Sequence, residues 1–334
     1  MKESFMNYQA IQLAKRPSGD ITPDIFETVE LETPALEEGQ FLVKQTYMSL
    51  DPAMRTWLNP REDGYIPPVQ IGEVMRSYGV GEVVESLNPN YPKGAHVVGI
   101  TGWAEYVLGN EDMQVVDASL DPEALLTVFY MTGLTAYVGL NKIGRPKAGE
   151  TILVSGAAGS VGSLVGQMAK AEGLRVVGTA GSDEKCRWLE QELGFDKAIN
   201  YKSDDLAAEL SDACPNGIDL FFENTGGPIQ QLAYARMNRF GRILLCGMIA
   251  EYNFDTPAPG PNWMDINLKA LRVEGFVVMD HLDKAQEATE ALSKYVQNGQ
   301  IRFRTHVLEG LESAKEGINL LFNGKNHGKL MVKL

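Results

Sequence analysis

The segment Thr151-Ile152-Leu153-Val154-Ser155-Gly156-Ala157-Ala158-Gly159-Ser160-Val161-Gly162 constrains this chain more than any other. β-forming residues run into glycines at 156, 159 and 162, and apolar residues at helical spacing follow (Val161, Leu164, Val165, Met168, Ala169). Strand, glycine turn and helix in that order suit a dinucleotide pyrophosphate. The glycines allow a tight turn and close backbone approach, and the helix N-terminus presents N–H groups and a positive dipole end. Spaced glycines alone are a weak signal; agreement of strand, spacing and helix makes cofactor binding the better reading.

From 151 onward the grammar alternates. Strands are expected at Leu174 to Thr179, Ile218 to Glu223, Arg242 to Cys246 and Leu271 to Val278, with helices from Ser182 to Leu193 and from Ile229 to Met237. Ser182 caps its helix, Asp183 and Glu184 suit the first turn, and Gly194 ends it. Alternation of this kind predicts a doubly wound parallel sheet, a Rossmann α/β domain. The first stretch, to about residue 120, instead holds short apolar runs broken by Gly and Pro: Phe41 to Tyr47, Gly79 to Glu85, His96 to Gly99 and Trp103 to Val107. It reads as a β-rich unit, followed by a helical link from Pro122 to Leu140. The tail predicts a strand at Thr305 to Val307, a helix at Leu311 to Phe322 and a closing strand at Lys329 to Val332, a return to the first unit. The expected division is 1–125, 126–298 and 299–334, with the cofactor domain inserted in a catalytic one; 334 residues is long for a single core.

Acidic residues outnumber basic ones 44 to 30, a formal charge of −14. That balance argues against nucleic acid and anionic membrane surfaces as partners. No apolar run is read as approaching the ~20 residues that span a bilayer, and Met1 to Phe5 lacks a signal-peptide core. Cys186, Cys214 and Cys246 are scattered and odd in number, which fits reduced thiols in a cytoplasmic setting.

The choice of nicotinamide cofactor turns on the end of the second strand. An acid about 20 residues past the glycines would hold the ribose hydroxyls of NAD. Asp183 is near that spacing but falls inside the next helix, where the dipole alone favours it. Ala180 and Gly181 leave room, while Ser182, Lys185 and Tyr201 supply a hydroxyl, a cation and a phenol suited to a 2′-phosphate. NADP(H) is the expected cofactor; a merely solvated Lys185 is the alternative.

Several further motifs carry a resemblance: Met48-Ser49-Leu50-Asp51-Pro52-Ala53-Met54-Arg55, Ile71-Gly72-Glu73-Val74-Met75-Arg76, Met131-Thr132-Gly133-Leu134-Thr135-Ala136-Tyr137, Ala180 to Lys185, Phe222-Glu223-Asn224-Thr225-Gly226-Gly227, Gly241-Arg242-Ile243 and Cys246-Gly247-Met248-Ile249. With them, almost the whole chain resembles the zinc-independent medium-chain dehydrogenase/reductases, in particular their alkenal/one-reductase branch of prostaglandin reductases, plant double-bond reductases and bacterial curcumin reductases. Gly156 stands where the branch often has alanine, a change expected to be harmless. The resemblance implies a GroES-like β-rich catalytic domain beside the Rossmann domain. It also implies cofactor contacts: Gly159, Ser160, Val161 and Gly162 at the pyrophosphate, Lys185 and Tyr201 at the 2′-phosphate, and Asn224 near the adenosine side. Cys246, Gly247, Met248, Ile249 and Tyr252 would line the groove. Phe276, Val277, Val278 and Asn326 would reach the nicotinamide end and outer face, with Met131 and Thr132 by the ring. Phe276, Val277 and Cys246 read equally well as core.

A catalytic zinc needs thiolate and imidazole ligands. The first 185 residues contain no cysteine, Ile71-Gly72-Glu73-Val74 has no histidine where zinc-bearing relatives carry one, and His96 is the only histidine before 281. No metal is expected. Without a Lewis acid, reduction of a conjugated C=C is the easier chemistry: hydride goes to the β-carbon, charge gathers on the carbonyl oxygen and the α-carbon takes a proton. The protein must align the reactants, exclude water and donate to the developing oxyanion. Tyr252 is the phenol best placed in sequence, with a cofactor contact as its alternative role; Tyr47 and Tyr65 are candidates for the substrate pocket. The expected activity is NADPH-dependent reduction of α,β-unsaturated ketones or aldehydes. The rivals are a quinone reductase and a non-catalytic NADPH-binding sensor. The proline-bearing segment Glu251 to Pro261, with Pro257, Pro259 and Pro261, is expected to be a loop closing over the site. A homodimer is expected, because the apolar strand from Leu271 would otherwise leave an open sheet edge.

Overall fold

The computed structural model describes residues 6–61, 64–254, 256 and 258–334; Met1 to Phe5 and Pro257 fall outside them. The chain divides into two compact units, Met1–Leu126 with Thr305–Leu334, and Thr127–Arg304.

The first unit opens with β1 (Asn7–Leu13) and β2 (Phe26–Glu32), which pair antiparallel. Then come β3 (Phe41–Ser49), β4 (Arg76–Ser86), β5 (His96–Gly102), β6 (Tyr106–Leu108) and β7 (Gln114–Val116). The second unit contributes β8 (Thr151–Val154), β9 (Arg175–Ala180), β10 (Lys197–Asn200), β11 (Ile218–Glu223), β12 (Met237–Leu245) and β13 (Arg272–Gly275). The chain then returns to the first unit with β14 (Thr305–Glu309) and β15 (Lys329–Lys333). There β15 pairs antiparallel with β3 and gives a seven-stranded sheet, β14-β15-β3-β4-β5-β7 with β6 on β3. The return is also fixed by charge: buried Lys329 meets Asp51 at 2.5 Å. In the same Met48–Arg55 motif, buried Arg55 donates to Asn59 Oδ1 at 2.6 Å and Gly19 O at 2.9 Å. That motif therefore has a structural use in tying the unit together.

In the second unit the six strands are all parallel in the order β10-β9-β8-β11-β12-β13. Numbered from β8, this is the 3-2-1-4-5-6 order of the Rossmann fold. Strand alternation sorts the core into two layers. Ile152, Val154, Val176, Leu220, Phe222 and Leu244 pack with the helices of one face, and Leu153, Val177, Ile199, Phe221 and Ile243 with those of the other. A sheet covered on both faces needs such continuous apolar runs.

Several expected elements differ. The strand expected at Leu271 to Val278 is only Arg272–Gly275, so Phe276, Val277 and Val278 lie beyond its end. The strand expected at Trp103 to Val107 begins only at Tyr106, because Trp103 serves as a bridge, donating its N–H to Met75 O (2.8 Å) and accepting from Ile11 N (2.7 Å). The helix expected over Leu311 to Phe322 is three short turns, Leu311–Ser313, Ala314–Gly317 and Asn319–Phe322. β12 starts at Met237, directly after the helix Pro228–Arg236. β1, β2, β10 and the helices Leu206–Ala213 and Ala285–Gln297 were not expected. The reading that no apolar run approaches membrane length is also corrected. Pro122–Gly144, 23 residues, is long and apolar enough, but 72% of its apolar window is buried in the protein and its helical geometry breaks at Tyr130 (φ −124, ψ −145).

Candidate cofactor and active site

The site is built at the carboxyl ends of the parallel strands, where open α/β sheets bind ligands. After β8 the chain turns at Gly156, whose φ of +58 is left-handed. The glycine expected to be a harmless replacement for alanine thus occupies a conformation that a side chain would strain. A Cβ there would also stand 3.1 Å from Thr225 Cγ2. Ala157 N–H then bonds Thr179 O at 2.9 Å, and Gly159 N–H bonds Gly156 O at 2.9 Å. Gly159 opens the helix Ser160–Ala171 without a side-chain cap, so the first-turn amides face outward to an incoming acceptor. A Cβ on Gly162 would lie 2.5 Å from Gly156 O and 2.8 Å from Ala157 Cα. Only glycine lets the helix sit this close to the turn.

At the end of β9, Ser182 caps the helix Asp183–Gln191 by accepting Lys185 N–H at 3.3 Å. Asp183 accepts from Asn200 Nδ2 at 2.8 Å, so its carboxylate is engaged with the end of β10. Tyr201 follows β10; its phenol oxygen lies 3.0 Å from where a Gly181 Cβ would stand. Lys202 Nζ is 5.8 Å from the Tyr201 ring centroid. Burial, and next the charge of Lys202, hold the Lys185 ammonium below the ordinary lysine range. Two cations that repel each other beside a phenol and a hydroxyl form a corner that an anion relieves. Lys202, two residues past β10, was not among the residues expected at this corner.

The turn after β11 begins with buried Glu223 and with Asn224, whose Nδ2 donates to Ser155 O at 2.7 Å. The turn after β12 holds Cys246, Gly247, Met248 and Ile249; the phenol oxygen of Tyr252 bends back to accept Met248 N–H at 3.2 Å. Burial, then the charge of Glu223, push the Cys246 thiol up to about 12. Beyond β13, the ring of Phe276 stands edge-on to Phe222, 6.3 Å between centroids. Glycines 159 and 162 with Ser160 and Val161, then Ser182, Lys185, Tyr201, Asn224, Cys246 to Ile249, Tyr252 and Phe276 to Val278 all follow strand ends on one edge of this sheet. Met131 and buried Thr132 open the helix Met131–Tyr137 of the same unit. Tyr47 on β3, exposed Tyr65, and Asn326, which donates to Gly328 O at 2.8 Å, belong to the other unit. Of the segment after Tyr252, Pro259 O and Gly260 O accept from Gln231 Nε2 at 3.0 and 3.3 Å. Among the described residues, no three His, Cys, Asp or Glu side chains gather as a metal-ligand set.

Residues 9–116 match the family described as the N-terminal domain of oxidoreductase, and residues 160–295 match zinc-binding dehydrogenase. The chain belongs to the medium-chain dehydrogenase/reductase superfamily and fits its alkenal reductase branch. It is 40% identical to prostaglandin reductase 1 of Bos taurus (96% of this chain, 97% of that one). It is 38% identical to the NADPH-dependent curcumin reductase of Escherichia coli (96% and 95%). Among solved structures, CurA from Vibrio vulnificus in complex with NADPH superposes with a TM-score of 0.93 at 36% identity, over 97% of this chain and 98% of that one. The expected pairing of a GroES-like and a Rossmann domain is the architecture of these neighbours.

Proposed function

We propose that the chain is an NADPH-dependent enzyme reducing the C=C bond of α,β-unsaturated ketones and aldehydes, without zinc. The observation that carries this reading is the presence, on one sheet edge, of a glycine turn shaped for a pyrophosphate and of the Lys185–Lys202–Tyr201 corner suited to a 2′-phosphate. The cofactor is NADP(H). Relatives named curcumin reductase, prostaglandin reductase and, in Nicotiana tabacum, 2-alkenal reductase (NADP(+)-dependent) support the substrate class.

When bound, NADPH supplies hydride to the β-carbon. The chain supplies position and charge. Gly159, Ser160, Val161 and Gly162 hold the pyrophosphate, Ser182, Lys185 and Tyr201 the 2′-phosphate, and Asn224 the adenosine side. Cys246 to Ile249, Phe276 to Val278, Met131, Thr132 and Asn326 line the remainder. Tyr252 donates a hydrogen bond to the carbonyl oxygen as negative charge gathers there; Tyr47 and Tyr65 shape the substrate pocket. Support for working without zinc comes from the sequence, which has no cysteine before 186.

The protein works as a cytoplasmic homodimer in this reading. The edge strand is less apolar than expected, because Arg272 and Glu274 pair on it at 3.2 Å. The neighbouring helix Trp263–Leu268 instead exposes Trp263 (75%), Met264 and Leu268 (66%), a face suited to a second copy. Light scattering that found only monomer at micromolar concentration would remove the dimer.

The deciding experiment follows NADPH absorbance with a panel of enals, enones and quinones on metal-stripped protein, with product analysis to separate C=C from C=O reduction. Saturated carbonyl products support the reading. Turnover with quinones alone would make the chain a quinone reductase, and tight NADPH binding without turnover on any acceptor a sensor.

A further inference from the structure

Glu223 has 0% exposure. It ends the strand Ile218–Glu223, whose neighbours Phe221 and Phe222 are fully buried hydrophobics. A carboxylate in such a place is costly unless donors surround it. Its Oε1 accepts Ser155 Oγ–H at 2.5 Å, Thr225 N–H at 2.7 Å and Gly226 N–H at 3.0 Å. Its main-chain carbonyl accepts Cys246 N–H at 2.9 Å and Gly247 N–H at 3.1 Å. Ser155 closes the network: its Oγ accepts Asn224 N–H at 2.8 Å, and its carbonyl accepts Asn224 Nδ2 at 2.7 Å. One residue thus joins the position before the glycine turn, the turn after β11 and the turn after β12. A neutral amide oxygen would satisfy the same three donors. The second carboxylate oxygen, buried and without a hydrogen-bond partner among the described residues, is more charge than the turn geometry requires.

We propose that Glu223 is a positioning residue whose buried carboxylate ties Ser155, the residue before the glycine turn, to the turn after β11, holding both in one cofactor-receiving geometry. The inference rests on the reading that these turns hold NADPH. The turn after β12 is joined through the Glu223 main-chain carbonyl, which any residue at this position would supply.

The test uses Glu223→Gln, Glu223→Ala, Ser155→Ala and the double alanine variant in the full chain, with NADPH affinity read by fluorescence titration and stability by urea unfolding. Glu223→Ala, which removes the acceptor, should weaken NADPH binding roughly tenfold to a hundredfold, with a smaller change in kcat at saturating NADPH. Glu223→Gln, whose amide oxygen accepts from the same donors, should restore affinity close to that of the parent. Ser155→Ala should act in the same direction as Glu223→Ala, and the double alanine variant should lose less than the sum of the two. Parental NADPH affinity in Glu223→Ala, or an equal loss in Glu223→Gln, overturns the proposal. If Glu223→Ala does not fold, parental NADPH affinity in Ser155→Ala overturns it. A parent protein that bound no NADPH would defeat the functional reading instead, and the stability of Glu223→Ala against Glu223→Gln, which needs no cofactor, would still decide whether the carboxylate ties the two turns.

Discussion

Replacing Lys185 by alanine tests the cofactor assignment most directly, because the change is confined to the side chain. The helix Asp183–Gln191 is capped through the Lys185 main-chain N–H to Ser182 Oγ, which alanine keeps, and alanine is the better helix former. The loss is therefore that of one charge-assisted contact to a phosphate, about 1.5–3 kcal/mol. In affinity that is roughly 10- to 150-fold. Two features of the corner move the expectation to the lower end. Lys202 remains to attract the phosphate. The site is also open enough for salt to screen it. The expected result is NADPH binding weaker by about tenfold, less at high salt, with NADH binding unchanged. Calorimetric titration of both cofactors at low and high salt measures it. Equal losses for NADPH and NADH would refute a 2′-phosphate site at Lys185 and leave it a solvated helix residue.

Binding should depend on pH through the same ammonium. Its pKa in the free protein is lowered, and a bound phosphate dianion raises it, so binding takes up a proton between the two values. NADPH affinity should then fall as pH climbs through the free-protein value, a slope that NADH titrations and Lys185→Ala should lack. Gly162→Ala should cost about 1–3 kcal/mol by urea unfolding and weaken NADPH binding, since its Cβ would meet Gly156 O at 2.5 Å; parental stability and affinity would show that the turn can give way. Tyr252→Phe should lower kcat while leaving the KM for NADPH close to parental, and the reverse split would assign the phenol to holding the cofactor.

The Rossmann half was the more legible part of this sequence, because β8, β9 and β11 announce themselves by apolar runs that a sheet covered on both faces requires. β10 escaped notice: Lys197 to Asn200 is short, carries a lysine and an asparagine, and lies at the sheet's outer edge. The segment past β13 was misread because Phe276, Val277 and Val278 are β-formers by composition, yet the pairing with β12 stops at Gly275. Glu223 was visible only as the odd charge closing an apolar run. Two of its donors, Thr225 N–H and Gly226 N–H, are local, but the third, Ser155 Oγ–H, comes from the end of β8, and that meeting depends on tertiary placement which no local pattern announces. In the first unit, the Met48–Arg55 motif served to mark the family, but the partners that explain Asp51 and Arg55, Lys329 and Gly19, are far away in sequence.

The seating of β15 beside β3 has a consequence for synthesis. A ribosome makes residues 127–304 before it makes β14 and β15. The Rossmann half can therefore begin to collapse while translation continues, whereas the amino-terminal half must wait for its closing strand. During that interval β3 lacks a neighbour, and Asp51 has no lysine to meet. A nascent chain stalled shortly before residue 329 would expose an unfinished sheet, the state in which chaperone capture and aggregation compete.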